Sequence, residues 1–244
     1  MAVIVLIRRT HLGFSALLLV VVAGMALILW QGSGESTAVF STWQNGEQAS
    51  VVVVDPGHGG EDGGAVARDG TVESGLNLQI AFRVNDLLCF LGQDTVMTRR
   101  EDVSIYSSGA QTLHQKKVSD LENRAALVNR LENAVLISIH QNSLPSSPAT
   151  HGAQVFYNGV EPASLLAAAT QQRLNEGVNV GAGKTPKRIS DTIYLTKHVT
   201  APAVIVECGF LSNVEESARL REPEVQLRLA AAIAAGYFST EDQS

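Results

Sequence analysis

The chain has 244 residues, of which 45% are hydrophobic, and it carries a net charge of −6 at pH 7. This length accommodates a targeting segment and one domain of roughly 190 residues, which is within the usual range for a single domain. A pI near 5.5 argues against a nucleic-acid-binding protein, because such proteins present a basic surface. The two cysteines are too few for a disulfide framework.

The N-terminal residues 1–31 are predicted to form a membrane anchor. Leu12 to Trp30 are nineteen residues without a charge, whereas the apolar region of a signal peptide spans roughly 7–15 residues. Arg8 and Arg9 precede this segment, which places the N-terminus inside the cell and the following domain outside. Alternatively, the small residues Ser36 to Ala38 serve as a cleavage site, and the protein is secreted.

The rest of the chain is predicted to be a linker over residues 32–50, one domain over 51–239 and a short tail over 240–244. Six short apolar segments are typical of strands: 51–54, 94–98, 134–140, 153–157, 192–195 and 203–207. Apolar residues at three- and four-residue steps predict helices over 76–91, 121–128 and 223–237. This alternation indicates an α/β fold, in which a mostly parallel six-stranded sheet has helices on both faces, making three layers.

Polar side chains end three of the predicted strands. The strand of four valines is followed by Asp55-Pro56-Gly57, a sequence that forces a turn and delivers His58. His140 ends a second apolar strand, and Glu207 ends a third. Because parallel strands have their carboxyl ends on one edge of a sheet, these three residues are expected to share a site there. Alternatively, the three residues are unrelated polar side chains that end their strands without sharing a site.

Two histidines and a carboxylate are the protein ligands that a catalytic zinc ion commonly takes, with a fourth position left for water. Glu73, at the start of a predicted helix, is the favoured carboxylate, although an acid there also suits the helix dipole. Glu61 and Asp62 are rival ligands, but the flexible glycines around them disfavour fixed coordination.

The cysteines offer a different chemistry. A Cys208 nucleophile is an alternative to a metal site, but it would leave the two histidines unexplained. Both cysteines are therefore expected to be packed, with Cys89 in the core.

Four motifs follow one another in the chain: Asp55-Pro-Gly-His-Gly-Gly60, Glu73-x-x-x-Asn77-Leu78, Ser138-Ile-His140-x-Asn142 and Val206-Glu207-x-Gly-Phe-Leu-Ser-Asn213. Together they resemble the zinc-dependent N-acetylmuramoyl-L-alanine amidases. The resemblance implies one zinc ion held by His58, Glu73 and His140, and it makes Glu207 the catalytic carboxylate. It also implies hydrolysis of the peptidoglycan amide between N-acetylmuramic acid and L-alanine.

Arg124 and Asn142 are further candidates, for contacting the substrate or for orienting the ligands. Their residue types are explained equally well by a charge on a helix surface and by a turn cap.

The segments 138–145 and 152–157 are similar to those of the single-domain amidases that sporulating bacteria use on spore cortex. This finer resemblance implies that a polysaccharide deacetylase acts in the same pathway. The alternatives are a vegetative cell-separation amidase, a zinc peptidase acting on stem peptides, and an inactive module that only binds peptidoglycan.

Overall fold

The computed structural model describes residues 50–179, 181, 183–190 and 192–241. The predicted membrane anchor and all but the last residue of the predicted linker lie outside these ranges. Within the described part of the chain, no helix is both long enough and apolar enough to cross a membrane.

The described residues form an α/β domain. Its strands are β1 (Val51–Pro56), β2 (Thr95–Met97), β3 (Ala134–Asn142), β4 (Gln154–Tyr157), β5 (Lys187–Arg188) and β6 (Ala203–Phe210). Its helices are α1 (Glu73–Phe90), α2 (Leu113–Asn129), α3 (Ala163–Gly177), α4 (Tyr194–His198), α5 (Val214–Leu220) and α6 (Pro223–Glu241).

The six strands form one mixed sheet in the order β2-β1-β3-β6-β4-β5. All neighbouring strands are parallel except β4 and β6, which are antiparallel. The predicted six-stranded, mostly parallel sheet is therefore confirmed in outline, but the direction of β4 was not foreseen.

Helices cover both faces of the sheet. On the first face, α1, α3 and α6 pack against residues such as Val52 and Val206. On the second face, α2 and α4 pack against the intervening residues, such as Val53. Because side chains alternate along a strand, Asp55, His140 and Glu207 all belong to the second face.

One predicted strand is wrong. Residues 192–195 have β-branched and aromatic side chains that favour a strand, but Tyr194 begins the short helix α4. Leu195 is buried in the cluster beneath α2, so tertiary packing overrides the local preference. The strand beside β4 is instead Lys187–Arg188, whose two exposed, charged residues give no hydrophobic signal. Charged residues suit this position, because they discourage further strands from pairing with the sheet edge.

The two cysteines differ in burial. Cys208 is buried, as expected, and burial raises the pKa of its thiol, which disfavours a nucleophilic role. Cys89 is exposed, so its predicted place in the core is wrong. It lies on the outer side of α1, where its sulfur is 2.9 Å from the hydroxyl of Thr95.

Candidate metal centre and active site

The turn after β1 brings His58 against His140. His58 has a φ of 60°, a left-handed conformation that is unusual for a residue with a side chain. Gly57 precedes it, and a Cβ atom at that position would lie 2.1 Å from Nε2 of His140. Only glycine therefore allows the turn to pass so close to the end of β3.

Glu73, the first residue of α1, joins the two histidines. Its Oε1 lies 3.4 Å from Nε2 of His58 and 3.0 Å from Nδ1 of His140. One potential ligand atom from each residue falls within a 4.8 Å cluster. Two ligands of a tetrahedral zinc ion, each at roughly 2.1 Å, are about 3.4 Å apart. The donor set and its spacing therefore fit a zinc ion.

The Glu73 carboxylate is fixed by backbone groups as well as by the histidines. It is 3% exposed; Oε2 accepts a hydrogen bond from the N–H of Ala65 at 2.8 Å, and Oε1 accepts one from Gln141 at 3.1 Å. Burial alone would raise the pKa of Glu73, but His140 and His58 outweigh it and hold the pKa far below its usual value. Glu73 is therefore ionised, as a metal ligand must be.

Asp62 orients His58 from the opposite side. Its Oδ2 lies 2.9 Å from Nδ1 of His58, the ring nitrogen that faces away from Glu73. Burial disfavours charge on the His58 ring, but hydrogen bonds to Asp62 and Glu73 prevail and raise its pKa to about 9. A carboxylate behind a ligating histidine is a common way to fix the ring orientation. Asp62, a rival ligand in the sequence analysis, thus occupies a supporting position, while Glu61 pairs with Lys116.

Glu207 lies beside this cluster. In the sheet it is the direct partner of His140 on the adjacent parallel strand, so the two side chains share a face. Its Oε2 is buried without a hydrogen-bond partner among the described residues. Burial raises the pKa of Glu207, while the His140 charge lowers it in part. A carboxylate with an unsatisfied oxygen and a raised pKa is well suited to accept a proton.

Arg124 is buried behind the turn that carries His58. It is 1% exposed, and its five N–H groups are engaged by Asp55, Asp120 and the carbonyl oxygens of Pro56 and His58. No donor remains for a substrate, and it is not a helix-surface charge. Two roles were considered for Arg124, contacting the substrate and orienting a ligand. Its contacts support the second role, because one of them fixes the backbone of His58.

Asn142 closes the end of β3. Its Oδ1 accepts a hydrogen bond from the N–H of Ser143 at 2.8 Å, and its carbonyl oxygen accepts one from Leu211 at 2.8 Å. The structure thus places Asn142 in a turn-capping position.

Arg99 also supports the site, although it is not among the site residues predicted from the sequence. Its buried guanidinium donates to the carbonyl oxygens of Pro56, Gly57 and Ser74 at 2.9–3.0 Å. It thereby ties the turn before His58 to the first turn of α1, which carries Glu73. The signal for it was available, since Arg99 follows β2 at the same carboxyl edge of the sheet as His58.

Comparison with known proteins agrees with this geometry. A family model described as N-acetylmuramoyl-L-alanine amidase matches residues 52–238. The chain is 35% identical to the germination-specific N-acetylmuramoyl-L-alanine amidase of Bacillus subtilis over 217 residues, which cover 87% of this chain and 90% of the relative.

Two solved structures are similar along their full length. The CwlD amidase from Clostridioides difficile, in complex with the GerS lipoprotein, has a TM-score of 0.75 and 32% identity, covering 80% of this chain and 100% of its own. An N-acetylmuramoyl-L-alanine amidase from Clostridium difficile 630 has a TM-score of 0.69 and 28% identity, and the match covers 81% of this chain and 100% of that structure.

Proposed function

This chain belongs to the N-acetylmuramoyl-L-alanine amidase family, and we propose that it performs this hydrolysis of peptidoglycan as a zinc enzyme. The ligands proposed are His58, Glu73 and His140, with one ion per chain. The observation that carries the proposal is the convergence of these three donors within 4.8 Å, beside a buried carboxylate oxygen of Glu207 that has no partner among the described residues.

The chemistry that zinc supplies when bound is Lewis acidity, which lowers the pKa of water towards about 7 and polarises a carbonyl group. Glu207 acts as the general base: it takes a proton from the attacking water and then delivers it to the leaving nitrogen. Proton delivery matters because an amide nitrogen is a poor leaving group. Asp62 fixes the ring of His58, and Arg124 fixes its backbone, so that the first ligand keeps its orientation.

Two other functions are less well supported. An inactive binding module would be expected to lack a ligand or Glu207, whereas all four residues are present. A zinc peptidase would use the same chemistry on bonds within the stem peptide, so only its products distinguish it.

Mass spectrometry of digested peptidoglycan tests the chemistry. We expect stem peptides with new L-alanine amino termini, and we expect a chelator to abolish their release. Elemental analysis should find about one zinc per chain, and an alanine at any of the three ligand positions should remove both the zinc and the activity. New termini inside the stem peptide would indicate the peptidase, and full activity in chelator would exclude the zinc mechanism.

We further propose that the substrate is spore cortex. The identity to the germination-specific relative supports this choice, as does the sequence of the 138–145 and 152–157 segments. A polysaccharide deacetylase would then act on the same muramic acid after the stem peptide has been removed, allowing a muramic lactam to form. The catalytic domain would be held outside the cytoplasmic membrane by the N-terminal segment.

Deleting the gene tests the biological role. The expected result is spores whose cortex lacks muramic lactam and which germinate poorly, while vegetative division is normal. Chained vegetative cells with a normal cortex would instead assign the enzyme to cell separation and leave its chemistry unchanged.

A further inference from the structure

Residues 183–186, the segment before β5, lie at the catalytic edge of the sheet. β4 runs antiparallel to β6, so its first residue, Gln154, is the direct partner of Glu207. β5 runs parallel to β4, and the residues that precede it therefore approach the same edge. The side-chain amide of Gln154 donates to the carbonyl oxygen of Thr185 at 2.9 Å. This bond ties the segment to the face of the sheet that carries Glu207, because cross-strand partners point to the same side.

The segment before β5 contains Lys184, a lysine whose side chain is partly buried. Its ammonium lies 4.6 Å from the centre of the Phe210 ring, and Phe210 is three residues beyond Glu207 on β6. Phe210 pairs with Asn142, two residues beyond the His140 that pairs with Glu207, so at about 3.3 Å per residue Phe210 lies roughly 7 Å along the sheet from the proposed base. With the reach to the ammonium added, an extended peptide covers the span in about three residues.

Lys184 forms no ion pair with another described residue. Glu216 is the acid whose charge acts on it, but both oxygens of Glu216 accept backbone hydrogen bonds, from Gly152 at 2.6 Å and from Phe210 at 2.8 Å. The other cations near the metal centre are engaged: Arg124 pairs with Asp55, Lys116 with Glu61 and Lys117 with Asp62. Lys184 and the exposed Lys187 are therefore two described cations on this side of the sheet without an ion pair, and Lys184 is the one that lies against Phe210.

A stem peptide with free carboxylates is an anion, and Lys184 offers it a positive charge that no ion pair with a described acid neutralises. A half-buried ammonium interacts more strongly with an anion than an exposed one does, because less water screens the pair.

We propose that Lys184 binds a carboxylate of the stem peptide, within about three residues of the bond that is cleaved, and that it makes the enzyme prefer acidic stem peptides over amidated ones. This inference rests on the amidase activity and on the active site proposed above. It adds a substrate-positioning residue that lies outside the metal centre.

Paired substrates test the proposal. Glycan tetrasaccharides carrying stem tripeptides would be prepared with free carboxylates and, separately, with the carboxylates amidated. Lys184→Met removes the charge and keeps a side chain of similar length over Phe210. We expect its KM for the acidic substrate to rise about tenfold, as for loss of a hydrogen bond to a charged group, with kcat unchanged. The amidated substrate should show the same KM with both enzymes, and Lys184→Arg should restore the preference.

Controls separate charge recognition from structural damage. Lys197→Met removes an exposed lysine of α4 and should leave both KM values unchanged, and zinc content and thermal unfolding should be the same in all variants. An equal rise in KM for both substrates would show that Lys184 only shapes the loop, and no change with either would show that it does not bind the peptide; either result overturns the proposal. If the wild-type enzyme cleaves neither fragment, this result contradicts the proposed function and not the proposed role of Lys184. Calorimetric binding of the two fragments then still measures the effect of Lys184.

Discussion

In the proposed mechanism, the carboxylate of Glu207 both accepts the proton from water and delivers it to the leaving nitrogen. Glu207→Gln keeps the shape of the side chain and removes the proton acceptor, so we expect turnover to fall by about 10²–10⁴-fold. Zinc content should stay at the wild-type level, since Glu207 is not among the three clustered donors. Glu215→Gln, on the exposed surface of α5, is the matched control and should behave as wild type. Loss of zinc from the Glu207 variant would instead make Glu207 a ligand.

Asp55 links the stability of the domain to pH. Its fully buried carboxylate accepts hydrogen bonds from Arg124, Thr98 and Ser138 at 2.6–2.7 Å. Burial alone would raise its pKa, but Arg124 and the two hydroxyl groups prevail and lower it to about 2 from an ordinary value of 3.8. Because the pKa is lower in the folded state, the stabilisation is fully present above about pH 4 and is lost as the pH falls towards 2. Its size is about 2 kcal/mol.

Denaturant unfolding in chelator measures this contribution. Asp55→Asn removes one of the two carboxylates that pair with the buried Arg124, and Asp120 remains. We therefore expect the free energy of unfolding at pH 7 to fall by about 3 kcal/mol, the lower end for breaking a buried ion pair. The difference from wild type should shrink as the pH is lowered through about 4 to 2. Asp94→Asn, at an exposed position, should give a constant difference near zero. A pH-independent deficit in the Asp55 variant would contradict the assignment of the pKa.

At the residue scale, the position of a polar side chain was predictable from the sequence where that side chain ends a strand. His58, His140 and Glu207 could be placed at one edge from the apolar runs before them. Glu73 was favoured over Glu61 and Asp62 because flexible glycines surround those two residues, and the family resemblance implied the same ligand. The burial of Arg124 could not be read from the sequence. A helical arginine is normally a surface charge, and only the long-range contacts with Asp55 and the backbone of His58 reveal its burial.

At the scale of elements, the turn after β1 depends on the absence of a side chain at Gly57. Gly57→Ala would place a Cβ atom 2.1 Å from Nε2 of His140, so we expect the ring to be displaced and zinc binding to be lost. Gly75→Ala in α1 is the control, because a Cβ there meets no atom within 4 Å. It should stabilise the domain by about 0.5–1 kcal/mol through helix propensity. Metal analysis measures the zinc content of the Gly57 variant, and thermal unfolding measures the stability of the Gly75 variant. Normal zinc content in the Gly57 variant would show that His140 can shift without losing the metal.

Elements with a strong apolar period were predictable and short ones were not. The periodic helix over 223–237 appears as α6, and the valine run appears as β1. The strand predicted over 192–195 is α4, because burial of Leu195 against the α2 side determines that segment. β5 has two charged residues and exists only because β4 offers it an open edge, a condition that no local pattern encodes.

At the scale of the whole molecule, we propose that the N-terminal segment holds the enzyme at the membrane. We predict that a reporter fused after Ser244 lies on the outer side of the membrane, because Arg8 and Arg9 favour retention of the N-terminus inside. N-terminal sequencing of the mature protein should still find these two arginines. A mature chain that begins near Val39 would replace the anchor with a cleaved signal peptide, and the enzyme would remain extracytoplasmic.

The reversed direction of β4 has an evolutionary consequence. In a wholly parallel sheet, the connections at the carboxyl edge are those that leave the strands, but here the segments that enter β4 and β5 reach this edge as well. The 143–153 connection passes from the end of β3 to the start of β4 without crossing to the far edge. Neither segment carries a proposed zinc ligand, so insertions and deletions there would change the rim of the cleft while sparing its chemistry. The flank built by β1 and α2 has no such freedom, because Arg124 ties it to the backbone of His58. New substrate preferences are therefore expected to arise on the β4 side.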